Sequence, residues 1–251
     1  MLDKRVDFQQ TDVRLGLFSE FEHYEQGRIL YEKRDKIPQI AIFEGHFQPL
    51  RKPVSVKQYV CASLSNLNTC IKEAQMQIKV ESLYIHKLLD ITIRGNGSPF
   101  KAELIMERLE RDLEGDVNER FEQQNPYTEE ELLQILVEVL DALIFAKLQG
   151  VAYRNIKPRH IIIENCHYRL TNFGSALETT DEENLPDGTA EYLSPEMRLR
   201  MLGKDVEAEA YQSDVYSLGV TMLHLAKLRL PYLIPKAWGS ARELVEAVEE
   251  T

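Results

Sequence analysis

The chain has 251 residues, of which 43% are hydrophobic and 28% charged, and its formal net charge at pH 7 is -11. This length and composition predict a globular protein of one large domain or two closely packed lobes. Acidic residues are spread along the whole chain, which argues against nucleic acid or an anionic membrane as its main partner.

No apolar run reaches the roughly 18 to 20 residues that a membrane span requires, and residues 1–7 lack the apolar core of a secretory signal. The cysteines, which are odd in number and form no CxxC pair, suit a reducing compartment in which they are buried thiols: Cys61, Cys70 and Cys166. We therefore expect an intracellular, cytoplasmic protein. A metal site formed by Cys166, His167 and His160 can be envisaged, but a turn is the simpler interpretation and we expect no metal there.

The first hundred residues predict five strands and one helix. Charged turns, or turns that contain proline or glycine, separate the predicted strands, which cover residues 28–31, 39–43, 53–60, 85–93 and 100–106. An apolar stripe at helical spacing predicts a helix over residues 64–80: Leu64, Leu67, Ile71, Ala74 and Ile78. Together they predict an antiparallel sheet with a helix.

The following part of the chain predicts mainly helices. Thr128 and Glu131 form a capping-box pattern before a strongly apolar segment, which predicts a helix that runs through the core. A short strand pair around residues 161–163, a loop rich in acids and a second buried helix over residues 213–228 follow. The predicted fold class is α+β, with the sheet first in the chain and the helices after it.

Several segments in this order resemble motifs of the eukaryotic protein kinase family. They are Val54-Ser55-Val56-Lys57, the hinge-like 104–109, Tyr153-Arg154-Asn155 with Lys157-Pro158, Asn172-Phe173-Gly174, 188–196 and 213–219. The resemblance implies a two-lobed kinase-like fold. Residues 1–106 would form the N-lobe, with an extension over residues 1–23, and residues 107–251 the helical C-lobe. In the resembling family further helices follow the region around Trp238, so we expect either a fragment or a lobe completed by another molecule.

Three positions of the resembling active site carry different chemical groups in this chain. Asn155 stands at the position of the catalytic aspartate, His160 at that of a metal-binding asparagine, and Asn172 at that of the metal-binding aspartate. An amide cannot take a proton from a hydroxyl as a carboxylate does, and loss of a general base costs roughly 10²- to 10⁴-fold in rate. Because Mg²⁺ prefers anionic oxygen ligands, we expect no metal and no catalytic residue here.

The phosphate-binding glycine loop of the resembling family is also missing. No glycine occurs between Arg28 and Glu44, where the first two strands must turn, and Pro38 has no N–H to donate. We therefore expect that a nest of backbone amides does not form around a phosphate.

Other positions keep the residue types that the resemblance implies. Lys57 stands where a phosphate-binding lysine would be, and Glu73 is its expected partner, the alternative being a solvated glutamate. If a nucleotide binds at all, the implied binding residues are Lys57, Glu73, Ile42, Ser55, Met106, Glu107, Leu109 and Ile162. The implied structural residues are Arg154, Phe173, Gly174, Glu196 and Asp214, where Glu196 would be a buried charge in need of a partner.

The segment between Phe173 and Glu196 is rich in acids: Glu178, Asp181, Glu182, Glu183 and Asp187. These could pair with Arg154 and hold the segment in one state, or simply form a solvated loop. Thr179 and Thr180 are candidate phosphorylation sites on composition alone.

These residues predict a pseudokinase, a kinase-like domain that presents surfaces to other proteins as a scaffold or an allosteric regulator. Its expected partners are proteins, such as an active kinase or a large assembly, and neither nucleic acid nor membrane. We expect no cofactor. Two alternatives stay open: an unorthodox phosphotransferase that uses Lys57, and a module that senses a nucleotide without metal.

Overall fold

The computed structural model describes residues 12–14, 24–33, 38–47, 52–94, 98–179 and 188–230. The chain divides into two compact units, and each is described by itself. The first unit holds the chain as far as Glu81 together with His86–Leu109, so the hinge-like residues 107–109 belong to it. The second unit holds Ser82–Ile85 and the chain from Glu110 onward.

The first unit is built on an antiparallel sheet of six strands, in the spatial order β1-β5-β6-β4-β3-β2. The strands are β1 Asp12–Arg14, β2 Tyr24–Lys33, β3 Gln39–Phe47, β4 Lys52–Cys61, β5 Leu88–Arg94 and β6 Phe100–Glu107. The five predicted strands are all present. A sixth short strand, β1, comes from the predicted N-terminal extension and pairs with β5.

Helix α1, Leu64–Lys79, covers one face of this sheet. Ser63 caps its N-terminus by accepting a hydrogen bond from the Asn66 N–H at 3.2 Å. The apolar face of α1 packs on side chains that alternate along the strands, such as Tyr59 and Cys61 of β4. This period of two places Ser55 and Lys57 on the same side of β4 as Tyr59, toward the helix.

The second unit is mainly helical, as predicted. Its helices are α2 Leu113–Gln123, α3 Glu129–Leu148, α4 Pro195–Met201 and α5 Ala210–Lys227, and its short strands are β7 Arg111–Asp112, β8 Val151–Ala152, β9 Ile161–Glu164, β10 His167–Leu170 and β11 Leu177–Glu178. The predicted capping box of α3 is present, with reciprocal hydrogen bonds between Thr128 and Glu131. Within the described ranges, every helix is too short or too polar to cross a membrane.

The expectation that α3 runs through the core is wrong for one of its faces. One stripe of the helix is buried: Ile135, Glu138, Val139, Ala142 and Ala146. On the opposite stripe, the exposed fractions of Leu133, Val137, Ile144 and Leu148 lie between 51% and 76%. The predicted buried helix α5 likewise exposes Val215, Tyr216 and Leu223. In both helices apolar side chains lie on more than one face, and their neighbours among the described residues cover only part of that apolar surface.

Two smaller expectations about burial are also wrong. Cys166 is exposed, whereas Cys61 and Cys70 are buried as predicted. Asn165 and Cys166 form the two-residue turn between β9 and β10, both at positive φ, and this position at the tip of a hairpin leaves the thiol in solvent. Glu196 lies in the first turn of α4 and is half-buried, so its carboxylate keeps access to water instead of being a buried charge.

Candidate functional site

In the second unit, the segment after β8 is fixed by a buried carboxylate. Asp214 of α5 accepts hydrogen bonds from the backbone N–H groups of Tyr153 at 2.8 Å and Arg154 at 2.6 Å. These two bonds hold Arg154 in a left-handed conformation with φ of 70°. The Asp214 carboxylate therefore positions the next residue, Asn155.

Burial raises the pKa of Asp214 to about 7, although the two N–H donors and the nearby Arg154 favour the charged carboxylate. Arg154 itself is buried. Of the acids that were expected to pair with it, only Glu178 lies in the described part of the chain, and that residue is half-buried in β11.

The side chains of His160 and Asn172 are joined directly by a hydrogen bond. The Asn172 amide nitrogen lies 2.7 Å from His160 Nε2, and His160 Nδ1 lies 2.8 Å from the backbone oxygen of Asn155. Because an amide NH₂ group can only donate and a carbonyl oxygen can only accept, Nε2 is the acceptor and Nδ1 carries the proton. One neutral tautomer of the imidazole satisfies both bonds.

Local backbone geometry brings these two residues together. His160 ends a 3₁₀ turn, Pro158–His160, that leads into β9, and Asn172 follows β10, the hairpin partner of β9. Asn172 has φ of 64°, a left-handed conformation that asparagine tolerates better than most residues. Its amide therefore points back across the hairpin to the imidazole.

The Asn155 side chain belongs to a second polar cluster. Its Oδ1 accepts a hydrogen bond from the Thr189 hydroxyl at 2.8 Å, and its amide nitrogen lies 3.4 Å from Ser175 Oγ. Lys157 Nζ donates to Thr189 Oγ1 at 2.8 Å. The amide oxygen at this position is thus already an acceptor for a neighbouring hydroxyl.

These contacts determine what chemistry the three positions can perform. Two amides and a neutral imidazole provide no formal negative charge, and Mg²⁺ favours hard anionic oxygen. The Nε2 lone pair, which a metal would need, is directed at the Asn172 amide. Neither this donor set nor its hydrogen bonding fits a magnesium ion. In the portions that the structure describes, no group of three or more His, Cys, Asp or Glu side chains could hold a metal ion either.

The predicted structural residues next to Asn172 differ in burial. Phe173 is buried and packs edge-on against Tyr153, with ring centroids 5.1 Å apart, whereas Gly174 is exposed. The Tyr153 hydroxyl donates a hydrogen bond of 2.5 Å to the backbone oxygen of Thr171. This packing connects the segment after β8 to the residues that follow β10.

In the first unit, the predicted ion pair between Lys57 and Glu73 is present. Lys57 Nζ lies 2.7 Å from Glu73 Oε1, and both side chains are buried. Glu73 also accepts a short hydrogen bond from the Tyr59 hydroxyl. Burial, and next to it the Glu73 carboxylate, raise the pKa of Tyr59 well above its usual value.

Gln77 follows Glu73 by one helical turn and fits this arrangement. It is buried, and its amide nitrogen donates to the backbone oxygen of His86 at 2.6 Å. A polar residue at this position therefore ties α1 to the segment before β5 instead of displacing the helix.

The end of β6 contains the remaining nucleotide-binding candidates of the first unit. Ser55 is fully buried, and its hydroxyl accepts a hydrogen bond from the Leu109 N–H at 2.6 Å. Glu107 and Leu109 are half-buried, Met106 is buried, and Ile42 is half-buried opposite Lys57 in the β3–β4 pair. Ile162 belongs to the second unit, where it is buried in β9.

The segment between β2 and β3 lies partly outside the described residues, so the prediction about a phosphate-binding loop stays a prediction there. Gly27, which precedes that segment, has a role in strand pairing. A Cβ atom at Gly27 would come within 2.9 Å of the Glu44 backbone oxygen, next to a register shift between β2 and β3.

Several residues that shape these clusters were not predicted from the sequence as functional. Tyr59 stands two residues after Lys57 on the same face of a strand, and this period could have identified it. Lys157 and Thr189 lie within two of the kinase-like motifs, but their contact joins positions 32 residues apart. No local sequence pattern indicated the hydrogen bond between Ser55 and Leu109, which are 54 residues apart.

A comparison with protein families matches residues 43–248 to the model described as protein kinase domain. Mouse ribosomal protein S6 kinase alpha-6 is 33% identical over 122 residues, which cover 47% of this chain and 15% of that protein. The Drosophila melanogaster serine/threonine-protein kinase hippo is 30% identical over 173 residues, which cover 67% of this chain and 24% of that protein.

Rat mitogen-activated protein kinase kinase kinase 8 is also similar, with 32% identity over 114 residues that cover 44% of this chain and 23% of that protein. The chain therefore spans between 15% and 24% of the length of these curated relatives.

Proposed function

Since the chain belongs to the eukaryotic protein kinase family, we propose that it is a member that has lost phosphoryl transfer and acts by binding other proteins. It would serve as a scaffold or as an allosteric regulator, for instance of an active kinase. The proposed activity needs no metal and no nucleotide.

The proposal is carried by the hydrogen bond between His160 and Asn172. Phosphoryl transfer depends on charge neutralisation by metal ions and on a base that orients the acceptor hydroxyl. The two positions where the resemblance implies metal ligands instead satisfy each other as a neutral pair, 2.7 Å apart. At the position of the base, Asn155 accepts from Thr189. Three separate replacements would be needed to restore the missing groups.

In the first unit, Lys57 has a structural role, although active protein kinases require the same kind of ion pair for phosphoryl transfer. Its ammonium is paired with Glu73 and lies 5.2 Å from the centroid of the Tyr59 ring. This arrangement stabilises the packing of α1 on the sheet. The retained lysine thus has a structural role that does not require a phosphate.

The exposed apolar stripe of α3 supports a role in protein binding. The exposed Leu133, Val137 and Ile144, with the half-buried Leu140 between the last two, follow one another at spacings of four, three and four residues, which is the pattern of a helix seam. The stripe extends to Leu148, a length of about 22 Å at 1.5 Å per residue. An apolar surface of this length is long enough to pack against the apolar face of an amphipathic helix of a partner protein, which would remove it from water.

The direct test is transfer of labelled phosphate from ATP, with magnesium present, to the chain itself or to a general acceptor protein. We expect no labelled protein above the level of the Lys57→Ala variant, which serves as the matched background. Phosphate transfer by the wild-type chain that Lys57→Ala abolishes would overturn the proposal. Transfer that Lys57→Ala leaves unchanged would be assigned to a contaminating kinase.

A further inference from the structure

Glu107 and Leu109, at the end of β6, are two of the residues that the resemblance implies for binding a nucleotide base. Adenine presents an amino donor beside a ring-nitrogen acceptor, and a backbone C=O with a nearby backbone N–H is complementary to that pair. Glu107 and Leu109 are two residues apart, are half-buried and belong to the same unit. Whether a base can bind there therefore depends on whether the backbone C=O of Glu107 and the backbone N–H of Leu109 are available.

Each of these groups already has a partner within the first unit. The Leu109 N–H donates to Ser55 Oγ at 2.6 Å. The backbone carbonyl oxygen of Glu107 lies 2.9 Å from His86 Nε2. Because a carbonyl oxygen can only accept, His86 donates through Nε2. The Glu107 N–H donates to the Lys87 oxygen at 3.1 Å.

Of the two contacts, the hydrogen bond between Ser55 and the Leu109 N–H hinders binding of a base more than the one between His86 and Glu107 does. Leu109 has a single N–H, so a base that needs this donor must displace the hydroxyl, whereas a carbonyl oxygen such as that of Glu107 has two lone pairs and can accept twice. Ser55 is fully buried on β4, and its displaced hydroxyl would have to find another donor or lose its bond.

We propose that Ser55 makes this chain reject adenine, because its hydroxyl occupies the Leu109 N–H that the base would need. The inference rests on the proposed function and deepens it, since it gives a reason why a nucleotide is not bound even in the absence of metal. Removal of this one oxygen atom should free the Leu109 N–H, just after the end of β6, for the base.

The experiment measures binding of adenosine, which carries no phosphate, to the full chain by calorimetry. We expect no measurable binding to the wild type and at least tenfold tighter binding to Ser55→Ala. Ser55→Thr, which keeps a hydroxyl, should behave as the wild type, and Ser65→Ala, on the exposed part of α1, controls for loss of a serine elsewhere. Hydrogen exchange at the Leu109 amide should be slow in the wild type and faster in Ser55→Ala.

Binding of adenosine to the wild type as tight as to Ser55→Ala would overturn the inference. So would a folded Ser55→Ala variant in which the Leu109 amide exchanges rapidly but adenosine binding does not improve. If Ser55→Ala does not fold, slow exchange of Leu109 in the wild type together with tight adenosine binding would contradict it equally. None of these results affects the proposed function, which phosphate transfer tests separately.

Discussion

The imidazole of His160 accepts a hydrogen bond from the amide of Asn172, and through its other nitrogen it donates to the backbone of Asn155. A single buried side chain therefore connects the three positions at which this chain departs from the catalytic pattern of its family. The replacement residues form one neutral structure, in which each change is compatible with the others.

This connection predicts that His160 stabilises the fold. His160→Leu removes both bonds at a buried position, and we expect it to lower the free energy of unfolding by about 1 to 3 kcal/mol. The matched control is His46→Leu at an exposed position of β3, where the change should stay within about 0.5 kcal/mol. Denaturant unfolding measures both. Equal effects of the two substitutions would show that the His160 bonds contribute nothing.

The buried pair of Lys57 and Glu73 predicts a larger effect. Glu73→Ala leaves the buried ammonium without its carboxylate and should cost about 3 to 5 kcal/mol. Tyr59→Phe removes one donor to the same carboxylate, and we expect a loss of about 1.5 to 3 kcal/mol. Tyr84→Phe, at a half-buried tyrosine of the second unit, is the control for the hydroxyl. A Glu73→Ala protein as stable as the wild type would contradict the assigned role of the pair.

Asp214 predicts a dependence of stability on pH. Its pKa is raised by burial from 3.8 to about 7, so the folded state binds a proton more tightly than the unfolded state does. This contribution to stability is fully present below pH 3.8 and is lost as the pH rises through about 7. Across that window it should fall by about 1.4 kcal/mol per pH unit.

The Asp214→Asn variant isolates this contribution. It lacks the titrating group, so its unfolding free energy should decrease less between pH 4 and pH 7 than that of the wild type. The variant should also be less stable at low pH, because its amide NH₂ group cannot accept from the second N–H, whereas the hydroxyl oxygen of protonated Asp214 can. Parallel pH profiles of the two proteins would show that Asp214 does not titrate in this range.

The exposed stripe of α3 predicts a separation between stability and binding. Val137→Glu with Ile144→Glu places charge on the stripe, and we expect the free energy of unfolding to change by no more than about 0.5 kcal/mol per substitution. Affinity for a partner that docks there should fall at least tenfold. The control pair, Gln123→Glu with Gln149→Glu, changes exposed residues away from the stripe. Equal affinity of both double variants for the same purified partner would exclude the α3 stripe as the docking surface.

Much of the fold could be predicted from the sequence because its signals are local. The alternation in β4 and the helical stripe of α1 predicted the strand and the helix that carry Lys57 and Glu73. The pairing of these two residues was predicted from the resemblance to the kinase family. The capping box at Thr128 and Glu131 was likewise predictable from a spacing of three residues.

The bond between His160 and Asn172 could not be predicted in this way. It depends on a 3₁₀ turn, on a hairpin of two short strands and on a left-handed φ at Asn172, and these join residues 12 positions apart. The exposure of Leu133 and Cys166 was missed for a related reason. Apolar composition gives the preference of a residue for burial, but the neighbours that the fold supplies determine whether burial is achieved.

We propose that the neutral side chains of Asn155, His160 and Asn172 bind no magnesium ion and no complex of ATP with magnesium. Thermal unfolding of the wild-type chain should be tested with ATP alone, with magnesium alone and with both together. A ligand present at 100 times its dissociation constant adds about 2.7 kcal/mol to stability, which is readily detected.

The positive control is the variant with Asn155→Asp, His160→Asn and Asn172→Asp combined with Ser55→Ala, because it returns all three groups and frees the Leu109 N–H. It should gain a shift that requires magnesium. For the wild type, we expect equal unfolding temperatures with and without magnesium at every ATP concentration. A stabilisation of the wild-type chain that requires ATP and magnesium together would contradict it.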